Sequence, residues 1–94
     1  MDCKQVKFSA HAIQRMFERE VNKKSVSYVI INGEIIAEYP NDTPYPSYMI
    51  LGFVGEQPIH VVIAFDSKNK VCYIITAYIP DKTKWLPDYK TRKK

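Results

Sequence analysis

The sequence predicts a single α+β domain in which two N-terminal helices precede a four-stranded antiparallel sheet, and three observations lead there. Apolar residues recur at helical spacing before Gly33 and in strand-like runs after it. The joints between those runs are short and rich in Pro, Gly, Asn and Asp, which suits hairpins. A chain of 94 residues, 46% of them apolar, fits one domain with a core of its own.

Ser9 is a good N-cap, and Ala10, Ile13, Met16 and Phe17 follow it at helical spacing. Asn22 can cap a second helix that gathers Val26, Val29 and Ile30 on one face, and Asn32-Gly33 supplies its stop. Each helix is expected to run for about eleven residues. Residues 4–8 can add a short extra strand at the N-terminus. Strand composition then spans residues 34–39, 48–54, 59–65 and 71–79, joined by the turn formers of 40–46, 55–58 and 66–70.

Alternation sorts the strand residues onto two faces. One collects Ile35, Ala37, Ile50, Ile59, Val61, Ile63, Val71, Tyr73, Ile75 and Ala77, and is expected under the helices. The other collects Leu51, Phe53, His60, Cys72, Ile74, Thr76 and Tyr78, and is expected to be open. A symmetric closure of the 66–70 loop puts Phe65 opposite Val71 and His60 opposite Thr76, with Tyr78 a diagonal neighbour of His60.

The net charge of +4 is unevenly placed. Between residues 80 and 94 stand Lys82, Lys84, Lys90, Arg92, Lys93 and Lys94 against Asp81 and Asp88, so this segment carries the whole excess. Trp85 and Tyr89 are interleaved with the cations, a pattern that can neutralise phosphates and stack on bases. RNA or an acidic protein is the partner this suggests. The same pattern also suits a solvated terminus with Trp85 tucked onto the core. The expected organisation is one domain over residues 1–94, ending in a basic tail from about 86 to 94.

No apolar stretch is long enough for a membrane span, and the N-terminus lacks the apolar region of a secretory signal. A soluble, cytoplasmic protein is expected, without membrane contact. Cys3 and Cys72 have no metal-binding spacing and are too few for a disulfide scaffold, so a reducing compartment suits them. The glycines Gly33, Gly52 and Gly55 fit a helix stop, a strand and a turn, leaving no phosphate-binding loop. Neither a cofactor nor a metal is expected.

Both histidines interrupt patterns that a purely structural role would leave apolar or neutral. His60 breaks the run Ile59-His60-Val61-Val62-Ile63, and His11 opens the first helix, where His11, Arg15 and Glu18 fall within about 60° of arc and Arg19 borders them. Imidazole titrates near neutrality, so two of them beside fixed cations can do acid-base chemistry on a phosphate. The bland alternatives are a solvated helix face for His11 and Arg15, and for His60 a histidine satisfied by Thr76 or Tyr78 under a loop.

Several strings together carry a family resemblance: Phe8-Ser9-Ala10-His11-Ala12, Arg15-Met16, Glu18-Arg19, Gly33-Glu34-Ile35-Ile36, Tyr39-Pro40, Pro44-Tyr45-Pro46, Leu51-Gly52, His60-Val61-Val62 and Thr76-Ala77-Tyr78-Ile79-Pro80. From about Phe8 to Trp85 the chain resembles a bacterial domain of unknown function, itself similar to the RelE and BrnT-like toxins of toxin-antitoxin modules. That resemblance implies a small RelE/BrnT-like α+β fold and a toxin-like, metal-independent endoribonuclease, with RNA as substrate and an antitoxin protein as partner. It points to His11, Arg15, His60, Thr76 and Tyr78 as catalytic positions, and to Arg19, Trp85, Lys90, Arg92 and Lys93 as contacts to RNA. The rival expectation is a noncatalytic protein- or RNA-binding module with structural histidines.

Overall fold

In the computed structural model, which describes residues 1–94, the chain runs β1 (Gln5–Phe8), α1 (Ala10–Glu18), α2 (Lys23–Asn32), β2 (Glu34–Tyr39), β3 (Ser47–Val54), β4 (Gln57–Asp66) and β5 (Val71–Tyr78). Both helices begin at the expected caps. The Ser9 hydroxyl accepts from the Ala12 N–H at 3.0 Å, and the Asn22 amide oxygen accepts from the Ser25 N–H at 2.8 Å, each satisfying a donor that the first turn leaves unpaired. Helix α1 ends in a Schellman turn, in which Val21 N–H reaches the Met16 carbonyl and Glu20 N–H the Phe17 carbonyl, with Glu20 in the left-handed region at φ 57°.

The sheet departs from the four-stranded antiparallel arrangement expected of the sequence. It has five strands in the order β1-β5-β4-β3-β2 and is mixed, because β1 pairs parallel with β5 through Gln5↔Val71 to Phe8↔Ile74. The helices therefore lie between strands β1 and β2 rather than ahead of the whole sheet. The α+β class stands, and the helix-first topology does not. A parallel partner more than 60 residues away leaves no turn signal in the sequence, which is why β1 reads there only as an optional extra.

The β4–β5 register also differs. Asp66, not Phe65, pairs with Val71, and a bulge at Ile75 then adds a second one-residue offset, so that Val62 faces Thr76 and His60 faces Tyr78. The bulge exchanges the faces along β5. Cys72, Ile74 and Ala77 lie in the core under the helices, with Ile59, Val61 and Ile63 of β4 and Ile50 of β3, whereas the sequence places Cys72 and Ile74 on the far side. Because two one-residue offsets restore the alternation, His60, Thr76 and Tyr78 still share one face.

Helix α1 buries Ala12 and Met16, while Ile13 and Phe17, expected among its apolar residues, face out, Phe17 with 84% of its surface exposed. Helix α2 buries Val26, Val29 and Ile30 as its spacing requires. It packs so closely on β3 that a Cβ on Gly52 would meet Val29 Cγ2 at 2.8 Å. Cys3, just before β1, is disulfide-bonded to Cys72, their Cα atoms 5.7 Å apart. This corrects the expectation of two unpaired thiols, since the parallel β1–β5 pairing brings together cysteines 69 residues apart. No helix is long and apolar enough to cross a membrane.

Candidate functional site: a buried histidine under the C-terminal segment

The sheet face opposite the helices, expected to be open, is covered around His60. After Tyr78 the chain turns at Asp81, whose carboxylate accepts from the Thr83 N–H and hydroxyl at 2.8 Å each. It turns again at Asp88, which accepts from the Lys90 and Thr91 N–H groups. Between these Asx turns Leu86 N–H reaches the Thr91 carbonyl at 2.8 Å, and Lys93 N–H the Lys84 carbonyl at 2.9 Å. The segment is thus a small folded loop. Trp85, with 7% of its surface exposed, meets the His60 ring edge-on at 4.5 Å between centroids, and the Tyr89 ring meets Phe53 at 6.3 Å.

His60 is fully buried beneath it. Its Nε2 lies 2.7 Å from the Tyr89 carbonyl, and since a carbonyl can only accept, Nε2 carries the proton and donates. Nδ1 is then an acceptor, and the Tyr78 hydroxyl at 3.2 Å donates to it. Burial pushes the His60 pKa below its ordinary value, against a smaller upward pull from the Tyr89 carbonyl. Burial likewise holds the Tyr78 phenol above its usual range, with Tyr39 adding to the shift and Arg92 and Arg19 opposing it. A neutral imidazole between a phenol donor and a carbonyl acceptor has neither nitrogen free for a substrate.

Arg19 reaches this face around an edge. Strand β1 ends opposite Ile74, so the outer side of β5 beyond it has no strand neighbour. There the Arg19 Nη1 donates to the Thr76 hydroxyl at 2.9 Å and the Ala77 carbonyl at 3.3 Å, and the guanidinium stands 6.0 Å from the Tyr78 ring centroid. Arg19, Thr76, Tyr78 and His60 therefore form one contiguous set.

The other sequence candidates lie elsewhere. His11 and Arg15 are exposed on α1 and share no hydrogen bond or ion pair with His60, so the two histidines are not brought into one site. Lys90 pairs with Glu34 at 2.9 Å, and Arg92 lies 5.4 Å over the Trp85 ring, while the Lys93 side chain is exposed. Trp85 is an anchor on His60 with its ring largely covered, the bland alternative allowed by its composition. Of the remaining participants, Tyr89 is foreseen only as a ring among the cations and Phe53 only as a residue on the His60 face of the sheet, while Glu34 has no place among the sequence candidates. The aspartates that fold the segment were readable, because Asp81-Lys82-Thr83 and Asp88 to Thr91 are local turn patterns. No group of three His, Cys, Asp or Glu side chains is gathered as metal ligands would be.

A family model described as a domain of unknown function, DUF4258, matches residues 8–79. The match covers both helices and strands β2 to β5, begins at the last residue of β1 and ends just before the C-terminal segment; it carries no relationship to RelE or BrnT-like toxins. No curated protein matches the chain.

Proposed function

We propose that this chain, which belongs to the DUF4258 family, is a noncatalytic module that binds single-stranded RNA through its C-terminal segment. The observation that carries the reading is that the segment with the whole positive excess is folded onto the sheet around His60, so its cations are held as a patch. Lys82, Trp85, Tyr89 and Lys93 line one hollow of about 210 Å³ on that patch, ammonium groups beside aromatic edges. Fixed cations neutralise a phosphate backbone at a smaller ordering cost than a solvated tail. The full occupation of both His60 nitrogens supports a structural role for that residue.

The test is fluorescence anisotropy of a labelled single-stranded RNA across a salt series. Binding should weaken with a log-log slope of roughly −0.7 per phosphate neutralised. Substituting Lys82, Lys84, Lys93 and Lys94 by Gln should lower both affinity and slope. Affinity unchanged in the fourfold variant would remove the patch from the account.

Endonucleolytic cleavage by a toxin-like enzyme, held in check by an antitoxin protein, is the second reading. What favours it is the contiguity of Arg19, Thr76, Tyr78 and His60, a cation and three proton-bearing groups on one face. It requires the Tyr89 carbonyl to give up His60 before any proton transfer. EDTA-resistant cleavage of total RNA, lowered 100-fold or more in His60→Ala, would favour it over the binding module.

A further inference from the structure

A second hollow, of about 360 Å³, lies at the opposite edge of the tail-covered face, where helix α2 ends and strand β2 begins. Strand β2 starts at Glu34, opposite Leu51, so β3 runs on through Gly52 and Phe53 with no neighbour on that side. The hollow fills this notch. Its walls include two aromatic rings about half exposed, Tyr28 and Phe53, and its polar side chains are Asn32, Glu34, Lys90 and the Tyr28 phenol, which can donate or accept and so does not itself choose a base. Binding pockets for small ligands start at about 300 Å³, so the hollow suits one nucleobase rather than a large ligand.

We infer that this hollow is a guanine-selective base pocket for the RNA bound by the C-terminal segment, an inference that rests on the RNA-binding reading above. The donor set decides the base. Glu34 is a carboxylate, acceptor only, and Lys90, 2.9 Å away, is donor only. Guanine alone presents two adjacent donors, N1–H and the N2 amino group, beside an acceptor, O6. Two donors match a carboxylate and O6 matches an ammonium. Adenine and cytosine each offer one amino donor next to ring acceptors, and uracil places its single N–H between two carbonyls, so each sets an acceptor against the carboxylate.

The pair is already formed in the unbound protein, and the ammonium keeps donors to spare after bonding Glu34. Asn32 donates from Nδ2 to the Tyr28 carbonyl at 3.1 Å, which turns its amide and leaves Oδ1 as a further acceptor. The exposed rings of Tyr28 and Phe53 offer stacking surface to a splayed-out base. Tyr89 of the first hollow precedes Lys90 in the chain and its ring meets Phe53, so the pocket adjoins the phosphate-binding patch.

The full chain is titrated with a labelled uridine 12-mer and with the same RNA carrying one central guanosine, adenosine or inosine. The guanosine RNA should bind about tenfold more tightly than the uridine RNA, adenosine should gain little, and inosine, lacking the N2 amino group, should fall between. In Glu34→Gln, which sets one donor and one acceptor where the base needs two acceptors, the guanosine-to-uridine affinity ratio should collapse towards one. Trp85 emission checks that the variant is folded. Equal affinities for all four RNAs in the wild-type chain, or an unchanged ratio in folded Glu34→Gln, overturn the guanine pocket while leaving RNA binding in place. Absence of binding to any of the RNAs overturns the RNA-binding reading and the pocket with it.

Discussion

Helices α1 and α2 cover one face of the sheet with aliphatic side chains such as Val26, Val29, Ile30 and Met16, whereas residues 79–94 cover the other around a buried imidazole. The first cover is regular and amphipathic and depends on area removed from water. The second has few apolar groups, chiefly Trp85, and relies on directional contacts to His60: the Tyr89 carbonyl at Nε2 and the edge of the Trp85 indole, while the Tyr78 hydroxyl of β5 holds Nδ1 from within the sheet. An irregular segment with a net positive charge docks because one polar group on the sheet is matched on both sides. A histidine within an apolar strand is here the peg on which an irregular basic segment is seated.

Three changes test this contrast, the largest effect first. Ile63, fully buried under the helices, should cost about 2–5 kcal/mol on replacement by alanine, with sheet and tail probes lost together in one denaturant transition. His60→Ala should cost about 1–3 kcal/mol, because it leaves the Tyr89 carbonyl and the Tyr78 hydroxyl without their partner. Its signature should differ: Trp85, the sole tryptophan, should shift its emission to longer wavelength at denaturant concentrations where the far-ultraviolet circular dichroism is still native. Coincident tail and sheet transitions in His60→Ala would mean that the two covers are one cooperative unit.

The smallest effect is that of pH. A His60 pKa lower in the folded chain than the unfolded value near 6.5 means that the unfolded chain binds more protons, so stability rises with pH through that window. The contribution is complete above about pH 6.5 and is lost as the pH falls below it towards the folded pKa. Acidification from pH 7.5 to 5.5 should therefore lower the midpoint of the Trp85 transition. His60→Gln, able to donate to Tyr89 and accept from Tyr78 but unable to titrate, should lose most of this dependence. A similar pH dependence in His60→Gln would assign it to another group. The depressed carboxyls of Asp81 and Asp88, which the turn N–H groups hold charged, act only below about pH 4 and so do not confuse the measurement.

How much of this was legible varies with the range of the interaction involved. The Ser9 and Asn22 caps and the start of β2 after Gly33 are local events, written within four residues of chain, and they occur where the sequence puts them. Ile13 and Phe17 were misread because helical spacing shows that apolar residues recur, not which of them a neighbour will cover. The grouping of His60, Thr76 and Tyr78 survived two register shifts only because the shifts add to an even number. His11 and His60 both looked chemical by type, yet α1 leaves the first in solvent and the tail seals the second.

The sequence by itself determined the elements, the α+β class and the location of charge, because periodicity, caps and composition act over a few residues and need no partner. Tertiary structure alone decided the parallel docking of β1 on β5, the Cys3–Cys72 pairing, the bulge at Ile75 and the burial of His60 under Trp85 and Tyr89. Each of these joins positions far apart in the chain or turns on a single inserted residue. Contacts of that kind are selected by the packing of the whole domain, and local composition leaves them undetermined.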